Sequence, residues 1–200
     1  MQQHRKNGGP GHGCPRQRGQ RGFTIIEVMI VLTIVGIALT FGLPSMSAWL
    51  QSNQIRNAAE SIQSGLQVAK SEAVRRNTNV QFTLTSLTPG GTADWSITCQ
   101  TPSAECPGAG MTETSIRTFS SREGAAAARV AAPQATFTFG GTGRLTPMPA
   151  ATLAIYVTNP NGGACAADGG PMRCLRIQVS PAGHLKMCDP ALPSTNARGC

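Results

Sequence analysis

Seven cysteines, at positions 14, 99, 106, 165, 174, 188 and 200, are the residues of this 200-residue chain best equipped for chemistry. Their spacing suits crosslinking. No Cys-x-x-Cys pair is present, and the only histidine after residue 22 is His184, so a metal site lacks its ligands and no cofactor is expected. Gly-x-Ser-x-Gly, the phosphate-cradling Gly-x-x-x-x-Gly-Lys-[Ser/Thr] and His-Glu-x-x-His are all missing, which argues against an enzyme. If the segment through Gly22 is removed, Cys14 leaves with it and six cysteines remain. An even number favours disulfides in an oxidising compartment. Six cysteines allow about fifteen pairings; sequence proximity favours Cys99–Cys106, Cys165–Cys174 and Cys188–Cys200. The last would fold the tail, with Arg198, back over the preceding hairpin.

One further side chain is chemically conspicuous. From Phe23 to Leu43 the sequence is FTIIEVMIVLTIVGIALTFGL, and Glu27 is its only charge. A bilayer core takes about 20 apolar residues as a helix, so the run is just long enough to cross one. A carboxylate within such a run is costly in lipid and is retained for a function. The segment before it is basic: Arg5, Lys6, Arg16, Arg18 and Arg21 lie in residues 1–22, with no acid. That segment holds five of the chain's 17 Lys and Arg, so the remainder carries 12 against nine acids. The formal charge of +8 therefore does not mark a global nucleic-acid binder. Clustered ahead of an apolar run, the cations hold their side in the cytoplasm and send the rest outward.

A secretory signal would place a small-residue cut beyond its apolar core. Here Gly22 comes before it. The order Gly22, Phe23, Thr24, Ile26, Glu27, Val28 resembles the class III signal of type IV prepilins and type II secretion pseudopilins, with Glu27 fifth after the cut. Ala69-Lys70-Ser71-Glu72-Ala73-Val74-Arg75-Arg76-Asn77, followed by Val80, is similar to the GspH/FimT branch of that superfamily. The resemblance implies cleavage between Gly22 and Phe23 by a prepilin peptidase and methylation of the new Phe23 amine. It implies that Glu27 pairs with a neighbouring subunit's amino terminus and that Pro44 bends the helix. It also implies a minor pilin or pseudopilin whose partners are other pilins and the inner-membrane assembly platform. The protein would be a single-pass inner-membrane subunit with a periplasmic C-terminal domain, serving a filament and being a substrate rather than an enzyme.

The remaining chain must supply a body for that helix. The expected boundaries are a cleaved leader at 1–22, a transmembrane helix at 23–43, an amphipathic helix at 44–78 and a β-rich domain at 79–200. Trp49, Ile55, Ala58, Ala59, Ile62, Leu66, Ala69 and Ala73 recur at helical steps and predict the buried stripe. Strands are predicted at Val80–Leu84, Trp95–Ile97, Phe137–Phe139 and Leu153–Val157, with a short one near Ile116–Phe119; most of 100–135, and 158–172, reads as loop. For the last hairpin, the three-residue loop Pro181-Ala182-Gly183 sets Val179 opposite Leu185 and Ile177 opposite Met187. Arg176, Lys186 and Cys188 then share the outward face. The fold class is α+β and pilin-like: a long N-terminal helix, transmembrane then amphipathic, on an antiparallel two-sheet domain.

A second reading is DNA capture. Some FimT-like proteins use a C-terminal Gly-Arg-x-Arg motif, and Gly183-His184-Leu185-Lys186 stands in its place here without the first Arg. Arg173, Arg176, Lys186 and Arg198 are the candidate phosphate contacts.

Overall fold

The computed structural model describes residues 22–87, 90–101, 106 and 115–200. Among the described residues one α-helix, α1 (Ile25–Arg76), leads into eight strands: β1 (Val80–Leu84), β2 (Trp95–Cys99), β3 (Ser115–Phe119), β4 (Arg129–Ala131), β5 (Thr136–Phe139), β6 (Leu153–Thr158), β7 (Leu175–Val179) and β8 (Leu185–Cys188). The chain divides into two compact units, Met1–Gly42 and Leu43–Cys200. Pro44 lies within the span of α1.

The end of α1 follows from one residue. Asn77 adopts a left-handed φ of 49°, and its amide donates to the Val74 carbonyl while the Thr78 amide reaches back to Ala73. This is the Schellman pattern, and Asn tolerates the left-handed turn that β-branched residues avoid. Arg75 and Arg76 both donate to Glu72 Oε2 just before this stop.

Strand order is β3-β2-β1-β5 in one antiparallel sheet and β4-β6-β7-β8 in the other. Alternate residues of β1 and β2 are buried, Val80, Phe82 and Leu84 facing the same side as Trp95, Ile97 and Cys99. Ile55, Ala58, Ala59, Ile62, Leu66, Ala69 and Ala73 of α1 join them in one core with Phe137, Phe139, Ile155, Val157, Ile177 and Val179. Gly65 lets the helix come this close: a Cβ there would lie 2.7 Å from the Phe82 ring and 2.9 Å from the Trp95 ring. Polar atoms are also matched, with Trp95 Nε1 donating to Ser61 Oγ at 3.0 Å.

Several expectations need correction. Trp49 does not belong to the buried stripe: it is 60% exposed, as are its neighbours Met46 and Leu50 to a similar degree, and burial begins at Ile55. Within 100–135 a second strand joins the expected one near Ile116–Phe119. β4 lies there and pairs with β6, while Asn57 and Gln54 of α1 bind the Gly124 carbonyl and the Ala127 amide. Three residues were too few to show alternation in sequence. The β7–β8 register agrees with expectation at every pair: Arg176 with Cys188, Ile177 with Met187, Gln178 with Lys186, Val179 with Leu185. Gly183 has a φ of 78°, and a Cβ on it would meet the Gly143 carbonyl oxygen at 2.1 Å. Lys70 Nζ donates to the Gly183 carbonyl at 2.9 Å, tying this turn to the helix.

Among the described residues, no helix is long and apolar enough to cross a membrane. The described side chains of the apolar run end at Thr40, short of Leu43.

Candidate functional site

The first candidate site is the start of α1. Gly22 and Phe23 precede the helix and are exposed, Phe23 at 83%. Thr24 caps it: its Oγ1 accepts from the Glu27 amide at 3.3 Å, and its carbonyl accepts from the amides of Glu27 and Val28. This satisfies donors that no preceding turn can reach. The spacing Thr-x-x-Glu also puts an acid in the first turn, where the helix dipole favours it. Beyond it, Ile25, Ile26, Met29, Ile30, Leu32 and Ile34 are all more than half exposed. A helix that is apolar all round needs an apolar partner, whether lipid or other helices. Glu27 is exposed among them. The side chain of Pro44 lies outside the described residues, as does Cys14.

The second candidate lies beside β8 and is held by crosslinks. Disulfides join Cys99 with Cys106, Cys165 with Cys174 and Cys188 with Cys200; these are the pairs nearest in sequence. The last folds the C-terminal tail onto β8, where Asp189 bridges to Gly199 and Lys186 Nζ donates to the Gly199 carbonyl at 2.9 Å. Asp189 is nearly buried, at 6% side-chain exposure. Its Oδ2 accepts from Nε and Nη2 of Arg173, and its Oδ1 accepts from the Ala191 amide.

The four candidate phosphate contacts are engaged differently. Arg173 and Arg198 line a cleft of about 240 Å3 together with Arg56 of α1, and neither Arg176 nor Lys186 borders it. Arg176 lies instead over the Tyr156 ring, 4.6 Å from its centre, as a cation–π contact. Lys186 is engaged by the tail. Cys188 shares the expected face with Arg176 and is buried where its disulfide brings the tail back over the hairpin. Two features escaped sequence reading. Arg56 gave no signal beyond its polar position on the helix. Asp94 accepts from the Ser121 amide at 2.5 Å and from Thr92 Oγ1 at 2.7 Å, fastening β2 to the loop after β3. Burial acts to raise its carboxyl, but the Ser121 and Thr92 hydrogen bonds and the nearby Arg122 charge outweigh that and hold it below the usual range. Among the described residues no cluster of His, Cys, Asp and Glu could hold a metal ion.

A family model described as type II transport protein GspH matches residues 58–183. Another, described as the prokaryotic N-terminal methylation motif, matches residues 17–43. Among solved structures, the type IV minor pilin FimU of Pseudomonas aeruginosa is similar at a TM-score of 0.51 and 23% identity, covering 72% of this chain and 92% of that one. The minor pseudopilin EpsH from the type 2 secretion system of Vibrio cholerae is 12% identical at a TM-score of 0.46, covering 70% of this chain and 99% of that one. No curated protein matches the sequence.

Proposed function

The chain belongs to the GspH family, and from that premise we propose how it works as a minor pilin or pseudopilin. A prepilin peptidase cuts it between Gly22 and Phe23 and methylates the Phe23 amine. The apolar run Phe23–Leu43 then anchors it in the inner membrane, with the basic leader side cytoplasmic and the β domain outside. On assembly the same run leaves lipid for a bundle of neighbouring helices, and Glu27 pairs with the Phe23 amine of an adjacent subunit.

The start of α1 carries this reading. The Gly22–Phe23 bond lies exposed outside the helix, directly ahead of a capped helix whose first turns, to Thr40, leave their apolar side chains exposed and hold Glu27 as their one acid. The same residues fall within the match to the N-terminal methylation motif. A carboxylate that is unfavourable in hydrocarbon gains a partner only when a second subunit arrives, which couples charge neutralisation to assembly. Mass spectrometry of the membrane-extracted chain tests the reading. The expected N-terminus is N-methylated Phe23; an intact Met1 start overturns it.

DNA uptake has weaker support. It asks Arg173, Arg176, Lys186 and Arg198 for a common phosphate track, while Arg173 is paired with Asp189, Arg176 lies over the Tyr156 ring and Lys186 donates to the Gly199 carbonyl. A salt-dependent mobility-shift assay separates the readings: retention of DNA at low salt that is lost in an Arg176→Ala, Lys186→Ala double variant favours uptake.

A further inference from the structure

The cleft at the crosslinked end brings together arginines from three distant stretches: Arg56 from α1, Arg173 from the segment before β7, and Arg198 from the tail. Crosslinks hold two of them in place. Cys174, next to Arg173, is joined to Cys165, and Cys200, two residues past Arg198, is joined to Cys188. The charges are unequally satisfied. Arg173 is engaged by Asp189. Arg56 meets Glu60 at 3.2 Å, but both side chains are more than half exposed, and such a pair contributes little. Arg198 has no ion pair among the described residues. The partly buried Leu175 and Met187 supply an apolar wall.

The geometry points to a docking site for an acidic side chain, Asp or Glu, presented by a neighbouring protein subunit. Its carboxylate pairs with Arg198 and Arg56, and its methylenes lie against Leu175 and Met187. Two observations favour this ligand over a phosphate-bearing polymer. The cleft, at about 240 Å3, is smaller than the ~300 Å3 at which small-molecule pockets begin, so it suits one side chain rather than a nucleotide. The apolar wall also suits the flexible methylene arm behind an Asp or Glu carboxylate, whereas a phosphodiester could meet it only through its bulkier sugar carbons. Planar guanidinium groups match a carboxylate bidentately. The inference rests on the reading of the chain as a filament subunit, which supplies the neighbour.

The test is isothermal titration of the full-length chain in nonionic detergent with the capped pentapeptide Gly-Glu-Ala-Glu-Gly, its Gln counterpart and inorganic phosphate. The Glu peptide should bind saturably, with weaker binding at higher salt. Arg198→Gln and Arg56→Gln should each lower affinity about tenfold, the size of one lost charged hydrogen bond. Arg198→Lys, which keeps the charge but loses the planar fork, should lower it less than Arg198→Gln does. Arg56 is exposed on a helix, so its variant reports on the cleft even if a tail variant loosens the fold. Absence of binding to the wild type, equal binding of the Gln peptide, unchanged affinity in both Gln variants, or stronger Arg198-dependent binding of phosphate overturns the proposal. Methylated Phe23 in a sample that fails to bind discards the cleft alone, whereas an unprocessed start discards the subunit reading beneath it.

Discussion

Arg173 grips Asp189 through two nitrogens on one oxygen, Nε at 3.1 Å and Nη2 at 2.8 Å from Oδ2. The pair is lopsided: the carboxylate is 6% exposed and the guanidinium 61%. Asp189 also orders the turn after β8, since its Oδ1 holds the Ala191 amide at 2.9 Å and its own amide donates to the Arg198 carbonyl at 2.7 Å. Asp189→Ala should therefore cost about 2 kcal/mol, through lost charged hydrogen bonds and an orphaned turn amide. Arg173→Ala should cost about 1 kcal/mol, because water replaces much of what an exposed guanidinium offers. Denaturant unfolding under non-reducing conditions checks the order; a larger loss for Arg173→Ala contradicts it.

Gly65 sets the distance between helix and sheet. In an isolated helix, Gly→Ala gains about 1 kcal/mol. Here the new methyl would press on the buried Phe82 and Trp95 rings at 2.7 and 2.9 Å, and neither ring can swing away because Phe82 is fully buried and Trp95 is held by Ser61. Overpacking of this kind costs about 1–3 kcal/mol. Gly65→Ala should be net destabilising by about 1 kcal/mol, visible as a lower Tm and a changed tryptophan emission. A raised Tm contradicts the close approach.

Residue periodicity carried much of this architecture. The buried stripe from Ile55 to Ala73, the strands β1, β5 and β6 and the whole β7–β8 register follow from alternation of residue type and from a glycine in a three-residue turn. What stayed hidden depends on contacts between distant segments. Trp49 fits the helical period but lies before the point where the sheets begin to cover α1. Arg56 and Arg198 are 142 positions apart in numbering and line one cleft only in the folded chain. Asp94 looks like a loop acid until Ser121 and Thr92 close on it.

Two carboxyls should make stability sensitive to acid. Burial tends to raise Glu72, but the hydrogen bonds and charges of Arg75 and Arg76 outweigh it and hold it lowered; Asp94 is lowered as well. A group with a depressed folded pKa contributes stability above its unfolded pKa and loses it as pH falls through the folded one. Stability should thus be level with respect to these groups near neutrality and decline once pH drops below about 4, the ordinary carboxylate range. Asp94→Asn should cost about 1–2 kcal/mol at pH 7, and the gap to wild type should narrow at pH 3. A gap that widens on acidification contradicts the assignment.

Glu27 offers the sharpest functional test because its backbone and side-chain roles separate. The helix start depends on Thr24, whose hydroxyl and carbonyl receive the Glu27 amide, and alanine at position 27 keeps that amide. Glu27→Ala should leave the helix intact, since Ala is the better helix former, and leave the exposed Gly22–Phe23 bond open to the peptidase. What disappears is the only acid among the apolar side chains of Phe23–Leu43. A neighbour's Phe23 amine would then enter the helix bundle unpaired, at a cost of several kcal/mol. Methylated Phe23 should reach wild-type levels in the membrane fraction while the amount recovered in sheared filaments falls at least about tenfold, since 1.4 kcal/mol is already a factor of ten. Glu27→Gln should behave like the alanine variant, because it keeps the shape and loses the charge. Wild-type incorporation of the Gln variant would remove the ion pair from the assembly mechanism and leave packing of the apolar helix as its cause.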